Sequence, residues 1–265
     1  MRCSLTLHPI RIVQHGASSA EFTLAALFIL IIGFSIYELS RAHALRLLFH
    51  QAMQESARTA ATHHLDPDKM AHSLNQALLP WWARAQPDAA KQAQQRTYSD
   101  FRSRYQLHPW QVKIVSPSVE SFNQHSDRRA QRERNTPYAT INNNYQYEHH
   151  QGILRAERTG FTPSLPAFSN RISILDANTI TLHGVYLYEP VTPLVRQLIS
   201  LANRYADNTS YVGAALSNGL VPLHISLSMG AQSHPVKWPI AKQSPLQRAL
   251  SPNDLELLNH FSGSP

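Results

Sequence analysis

Residues Ala17 to Tyr37 read ASSAEFTLAALFILIIGFSIY, a run in which Glu21 is the only charged side chain. From Phe22 to Tyr37 nothing ionises except the closing tyrosine. As an α-helix these residues would be about 31 Å long, close to the thickness of a bilayer's hydrocarbon core. Lipid offers no partner to backbone N–H and C=O groups, so a crossing segment has to be helical. Thr23, Gly33 and Ser35 are all tolerated in such helices. Three structures could contain this run: a buried core helix, a removable secretory signal, or a retained anchor. The stretch exceeds the roughly 10–14 residues usual for an apolar core helix. Ala42-His43-Ala44 has the A-x-A form of a signal cleavage site. However, Glu21 stands where a signal's apolar region should begin, and Glu38 and Arg41 interrupt before the small residues. A retained membrane anchor fits best.

Composition narrows the remainder. Apolar residues make up 43% of the 265, which is ordinary globular usage and argues against a wholly disordered chain. The single cysteine, Cys3, excludes a disulfide framework and any thiolate cluster for zinc or iron–sulfur. A net charge of +7 over this length is a weak field; it permits an acidic partner without requiring one.

Glu21 needs a reason to be where it is. A carboxylate near the centre of a membrane helix costs about 2.5 kcal/mol or more and usually has a partner. At the helix start, the dipole and the nearby headgroups both favour a negative charge. A cut just upstream would add a third source of relief, a new α-amino group within reach. Gly16-Ala17-Ser18-Ser19-Ala20-Glu21-Phe22, set between a short leader with Arg2 and Arg11 and the apolar run, resembles the processing site of type IV pilins and pilin-like proteins. The resemblance implies that a prepilin peptidase cuts between Gly16 and Ala17, leaving Glu21 fifth in the mature chain. Together with Glu38-Leu39-Ser40-Arg41 and Ser56-Ala57-Arg58-Thr59-Ala60-Ala61, the pattern is similar to TadE-type pilus assembly proteins of the tight-adherence system. Ile180 to Pro193 also resembles a strand-then-proline segment late in that family, while Ala25-Ala26 stand where many members carry a proline.

The resemblance implies a minor pilin or pseudopilin that assists assembly of a tight-adherence (Flp) adhesive pilus. Its partners would be prepilin peptidase, other pilins and assembly proteins, and membrane lipid. Glu21 and Phe22 would set assembly register, and Glu38 and Arg41 would mark the helix exit. Arginines flank the apolar run on both sides, so charge counting does not orient it. The short leader and the family imply a single-pass protein of the bacterial inner membrane, N-terminus cytoplasmic and C-terminal domain periplasmic. An uncleaved, signal-anchored periplasmic scaffold or binding protein is the alternative. Loss of the leader would leave a chain without cysteine, tolerant of an oxidising compartment.

The body reads as α+β: a leader (1–16), a transmembrane and amphipathic helix (17–62), and a periplasmic α+β domain (63–265). Leu45, Leu48, Phe49, Ala52, Met53, Ser56 and Ala60 recur at helical spacing, with Arg46, His50, Gln54 and Arg58 on another face. No Gly or Pro interrupts between Gly33 and Pro67, so one helix of roughly 69 Å is expected. Asp66-Pro67 predicts an N-cap and a restart, with a second helix over 69–79. Trp81-Trp82 marks either a membrane-interface belt or a core anchor, and their distance from the apolar run favours the core. Residues 89–105 predict a polar helix, and 110–119 a strand that Pro117 confines to an edge or ends. Residues 120–170, with RRAQRER and INNN, read as a long, poorly ordered insertion. Residues 171–175 and 179–188 predict a hairpin around Asp176-Ala177-Asn178. A helix follows over 193–205, with Leu194, Leu198, Ile199 and Ala202 on one side, and then a strand over 220–229. The Pro-rich tail after Ala231 carries little signal.

No catalytic chemistry is announced. The fifteen histidines include the adjacent pairs His63-His64 and His149-His150, whose side chains point apart on a helix or strand. H-E-x-x-H, a Walker loop, G-x-G-x-x-G and G-x-S-x-G are absent. The reading is therefore a non-enzyme with no catalytic residue, metal or cofactor. Arg128-Arg129, Arg132 and Arg134, with Tyr138, Tyr145 and Tyr147, could form a nucleic-acid patch. Glu133 and Asp127 dilute it, so a solvated segment without nucleic acid is expected.

Overall fold

A computed structural model of the chain describes residues 17–83, 87–159, 172–203, 210–242 and 244–251. The chain divides into two units, Met1–Ala42 and His43–Pro265. Helix α1 (Ala17–Thr62) contributes its apolar part to the first and its amphipathic part, from His43 onward, to the second.

Within the second unit, α1 is followed by α2 (Pro67–Ala77), a 3-10 turn (Leu79–Trp82), α3 (Pro87–Tyr105) and β1 (Trp110–Ser116). Then come α4 (Val119–His125), α5 (Arg128–Glu133), α6 (Gln146–Arg158), α7 (Ile174–Ala177) and β2 (Thr179–Tyr188). The described chain ends with α8 (Pro193–Ala202), α9 (Tyr211–Ser217), β3 (Val221–Gly230) and β4 (Leu246–Arg248). The four strands form one sheet in the order β3-β2-β1-β4, antiparallel except for the parallel β1–β4 pair. The arrangement of helices and one mixed sheet is an α+β fold.

The core forms where the amphipathic stripe of α1 meets one sheet face. Leu45, Phe49, Ala52, Met53, Ser56 and Ala60 are buried and Leu48 is half-buried, while Arg46, His50, Gln54 and Arg58 are exposed, as the helical period requires. Alternation along the strands presents Val112 and Ile114 of β1, and Ile180, Leu182, Gly184 and Tyr186 of β2, to the same side. The Phe49 and Tyr186 rings lie 5.5 Å apart. Gly184 is the point of closest approach: a Cβ there would sit 2.6 Å from Met53 Sδ and 2.9 Å from Phe49 Cζ. Gly184→Val should therefore destabilise this unit by about 1–3 kcal/mol through overpacking, read as a lower unfolding midpoint in denaturant. Gly33→Ala, where nothing lies within 4 Å, should leave that midpoint unchanged. A second, smaller core on the opposite face joins Phe101 of α3, Val185 and Leu187 of β2, Ala215 of α9 and Leu220.

The α1 C-terminus is tied off by a segment that carried little sequence signal. Gln232 N–H and Ser233 Oγ–H donate to Ala61 O, and Val236 N–H and Trp238 Nε1–H donate to His64 O. The bonds to Ala61 satisfy a carbonyl that the helix end leaves without a partner, and those to His64 hold the turn that follows. Leu65 stands fully buried at φ +60, a position an unbranched Gly would usually take. Asp66 caps α2 as expected, accepting from the backbone of Asp68 and Lys69, with Pro67 at the first helical position.

Two expectations require correction. The segment over 120–158 is largely helical rather than a long loop. Ser118 and Ser121 form a capping box at α4, Asp127 caps α5, and Phe122, Ala130 and Ile141 are fully buried. Residues 160–170 lie outside the described residues. No hairpin forms around 176–178: Ser173 caps the single turn α7, and β2 pairs with β1 and β3 instead. On α8, which forms as expected, Leu194 and Leu198 are both 57% exposed. Of the two roles expected for Pro117 the second holds: it ends β1, an interior strand flanked by β2 and β4. Trp81 and Trp82 are half-buried; Trp82 donates from Nε1 to Thr97 Oγ1 and packs edge-on against Tyr98 of α3.

Candidate functional site

The longest uncovered apolar surface among the described residues belongs to α1. From Glu21 onward the helix has a segment of mean hydropathy 2.1 with only 6% of its residues buried, long and apolar enough to cross a membrane. Phe22 is 75% exposed, and Phe28, Ile29, Ile32, Phe34 and Ile36 are exposed on all sides. A helix apolar all round is suited to lipid or to other apolar helices, not to water. Such a surface does not arise from one amphipathic stripe, and it ends where the stripe of the second unit begins.

The residues singled out from the sequence fall at two places on this helix. Gly16 lies outside the described residues, and Ala17 is the first residue of α1. Glu21 and Phe22 are exposed one turn further on. Glu38 and Arg41, three residues apart and so neighbours on one helix face, are buried and half-buried respectively. Glu38 lies seventeen positions beyond Glu21, about 25 Å along the helix axis. The two acidic residues therefore bracket the apolar segment and do not form one site.

Elsewhere the polar clusters have structural duties. Glu189 Oε1 accepts from Arg104 (2.7 Å), Arg196 (3.1 Å) and the Tyr105 hydroxyl (2.8 Å), fastening α3 and α8 to the end of β2. Asn142 donates to Asp127 and holds that carboxyl below the usual carboxylate range. His64 Nδ1 lies 3.1 Å from His234 O, and His125 Nε2 lies 2.7 Å from Ile172 O. The arginines of α5 and the turn after it are exposed, Arg129 pairing with Glu133 at 3.5 Å. An open cleft of about 490 Å³ between α3, β1 and the residues before β4 is lined by Arg102, His108, Tyr211 and Lys242 among others. Tyr211 spends its hydroxyl on His108 O. Among the described residues no three of His, Cys, Asp and Glu converge as metal ligands. One juxtaposition had no sequence signal: His183 and His224, far apart in the chain, are brought ring to ring by the β2–β3 pairing.

Compared with protein-family models, characterised proteins and solved structures, the chain matches none.

Proposed function

We propose that the chain is a pilin-like, single-pass membrane protein of the tight-adherence type, a minor pilin or pseudopilin that assists assembly of an adhesive pilus. The observation that carries the reading is the bare apolar segment of α1 that runs on from Glu21, five residues beyond Gly16. In this reading the helix first holds the subunit in the inner membrane, its exposed Phe, Leu and Ile side chains facing lipid. During assembly those side chains exchange lipid for the apolar helices of neighbouring subunits. That exchange costs little, because lipid tails and leucine side chains are equally apolar, and packing then decides the contact. After cleavage the α-amino group of Ala17 is one helical turn from Glu21, about 6 Å along the axis. An ion pair there, within one chain or with a neighbour, neutralises a carboxylate that lipid would otherwise penalise. The unit from His43 onward is the periplasmic part that meets other assembly proteins.

Intact-mass measurement and amino-terminal sequencing of the protein purified from membranes test this. The mature chain is expected to begin at Ala17, and Gly16→Arg should leave the full leader attached. A wild-type chain that still begins at Met1 overturns the pilin reading in favour of an uncleaved, signal-anchored scaffold.

A further inference from the structure

We infer that His183 and His224 form an open two-imidazole site for a late first-row divalent cation, zinc(II) or copper(II), on the sheet face turned away from α1. In the β2–β3 register His183 lies opposite Ser226, and His224 is two residues from Ser226, so both histidines project from the same face as diagonal cross-strand neighbours. Their ring centroids are 5.6 Å apart and their planes are inclined at 45°. A metal–nitrogen bond of about 2.1 Å puts the ion about 3.2 Å from each ring centroid, so two imidazoles on one tetrahedral ion have centroids roughly 5.2 Å apart. The observed separation differs from that by a few tenths of an ångström, which side-chain rotation supplies without moving either strand.

The pair also differs from the half-buried histidines elsewhere in what its nitrogens do. His64, His125 and His234 each use a ring nitrogen in a hydrogen bond that fastens two segments. Among the described residues no hydrogen bond engages a ring nitrogen of His183 or His224, and both side chains reach the surface. Partial burial lowers the pKa of both below the ordinary histidine value, and for His183 the charges of His224 and Lys113 add to it. Neutral imidazole is the ligand form. Lys113, opposite His183 on β1, disfavours a cation bound only by charge. That selects for metals with strong nitrogen bonds and against magnesium or calcium, whose preferred ligands are oxygens. Two protein ligands leave two positions for water or for a donor from another molecule. The nearest side-chain oxygen by register is Ser226, a weak ligand, so the site is one of exchangeable binding rather than a closed structural centre.

Zinc binding by the full chain in detergent micelles, followed by competition with a chromophoric chelator, tests the assignment. One zinc per chain should be lost or weakened about tenfold or more in the His183→Asn/His224→Asn variant, given that changes outside the ligand shell already cost 10–100-fold. The His149→Asn/His150→Asn variant should keep that zinc. An isotherm unchanged by the first pair of substitutions, or no zinc bound by the wild type, overturns the assignment. A mutation-free reading guards against misfolding of the variant: imidazole NMR of the wild type should show zinc shifting two histidines whose rings share a cross-peak. Shifts confined to histidines without that cross-peak overturn it equally.

Discussion

With Ile29 and Ile32 both replaced by aspartate, the protein is expected to leave the carbonate-resistant membrane pellet. These two side chains are 69% and 57% exposed and sit near the middle of the apolar segment of α1. An aspartate at the centre of a membrane helix costs about 3 kcal/mol on insertion scales, and the isoleucine it replaces contributes about half a kcal/mol the other way. Two substitutions together oppose insertion by about 7 kcal/mol, a shift of roughly five orders of magnitude in the partition. Leu39→Asp, at a position 73% exposed but beyond the apolar run, should change the fractionation far less, because headgroups and water are within reach there. The contrast between the two variants matters more than either alone. A general loss of folding would affect both fractions alike, whereas a membrane-spanning role makes the penalty depend on depth. Retention of the Ile29/Ile32 variant in the washed pellet would mean that some other surface holds the protein there.

How much of this was readable from the chain depended on whether the stabilising partner was local. The α1 stripe, the Asp66 cap of α2 and the extended runs of β1, β2 and β3 are written in neighbouring residues, and each formed close to where the sequence put it. The segment around α4 to α6 was not readable, because what orders it arrives from far along the chain. Ile141 N–H donates to Pro235 O, Lys237 N–H to Ala139 O, and Asn143 N–H to His234 Nδ1. A polar, Arg-rich stretch looks like solvated loop until those partners are in place. The same holds for β4, three residues that pair parallel to β1 across more than a hundred intervening positions. Misreading 171–175 as a strand had a different cause. The alternation in Arg171-Ile172-Ser173-Ile174-Leu175 is too short to distinguish a strand from one helical turn, and the Ser173 cap decides for the turn. Of the candidate site, the apolar helix was fully legible, since an uninterrupted apolar run is written in neighbouring residues. The His183–His224 pair was not, because cross-strand neighbours have no fixed spacing in sequence.

Phe49→Ala should cost the second unit about 3–5 kcal/mol, enough to remove a large part of a typical domain's 5–15 kcal/mol. Phe49 is fully buried on α1, packed against the Tyr186 ring at 5.5 Å and beside the one backbone position on β2 that lacks a side chain. Truncation opens a cavity between a helix and the centre of a sheet, where neither the α1 backbone nor β2 can move in without breaking its other contacts. Met53, the flexible neighbour over Gly184, can fill some of the space, so the loss should fall nearer the lower figure if it does so. Phe49→Leu, which keeps most of the volume, should cost much less, and Arg46→Ala, exposed one turn away, should stay within about 0.5 kcal/mol. All four tryptophans (Trp81, Trp82, Trp110, Trp238) belong to this unit, so their fluorescence follows its unfolding and does not sense the apolar part of α1. In a unit of this size the alanine variant's melting midpoint should fall by about 10 °C. A Phe49→Ala protein that melts with the wild type would mean that α1 does not close this core. In that case the amphipathic part of the helix would be a free stalk, and its stripe would have to be covered by another molecule.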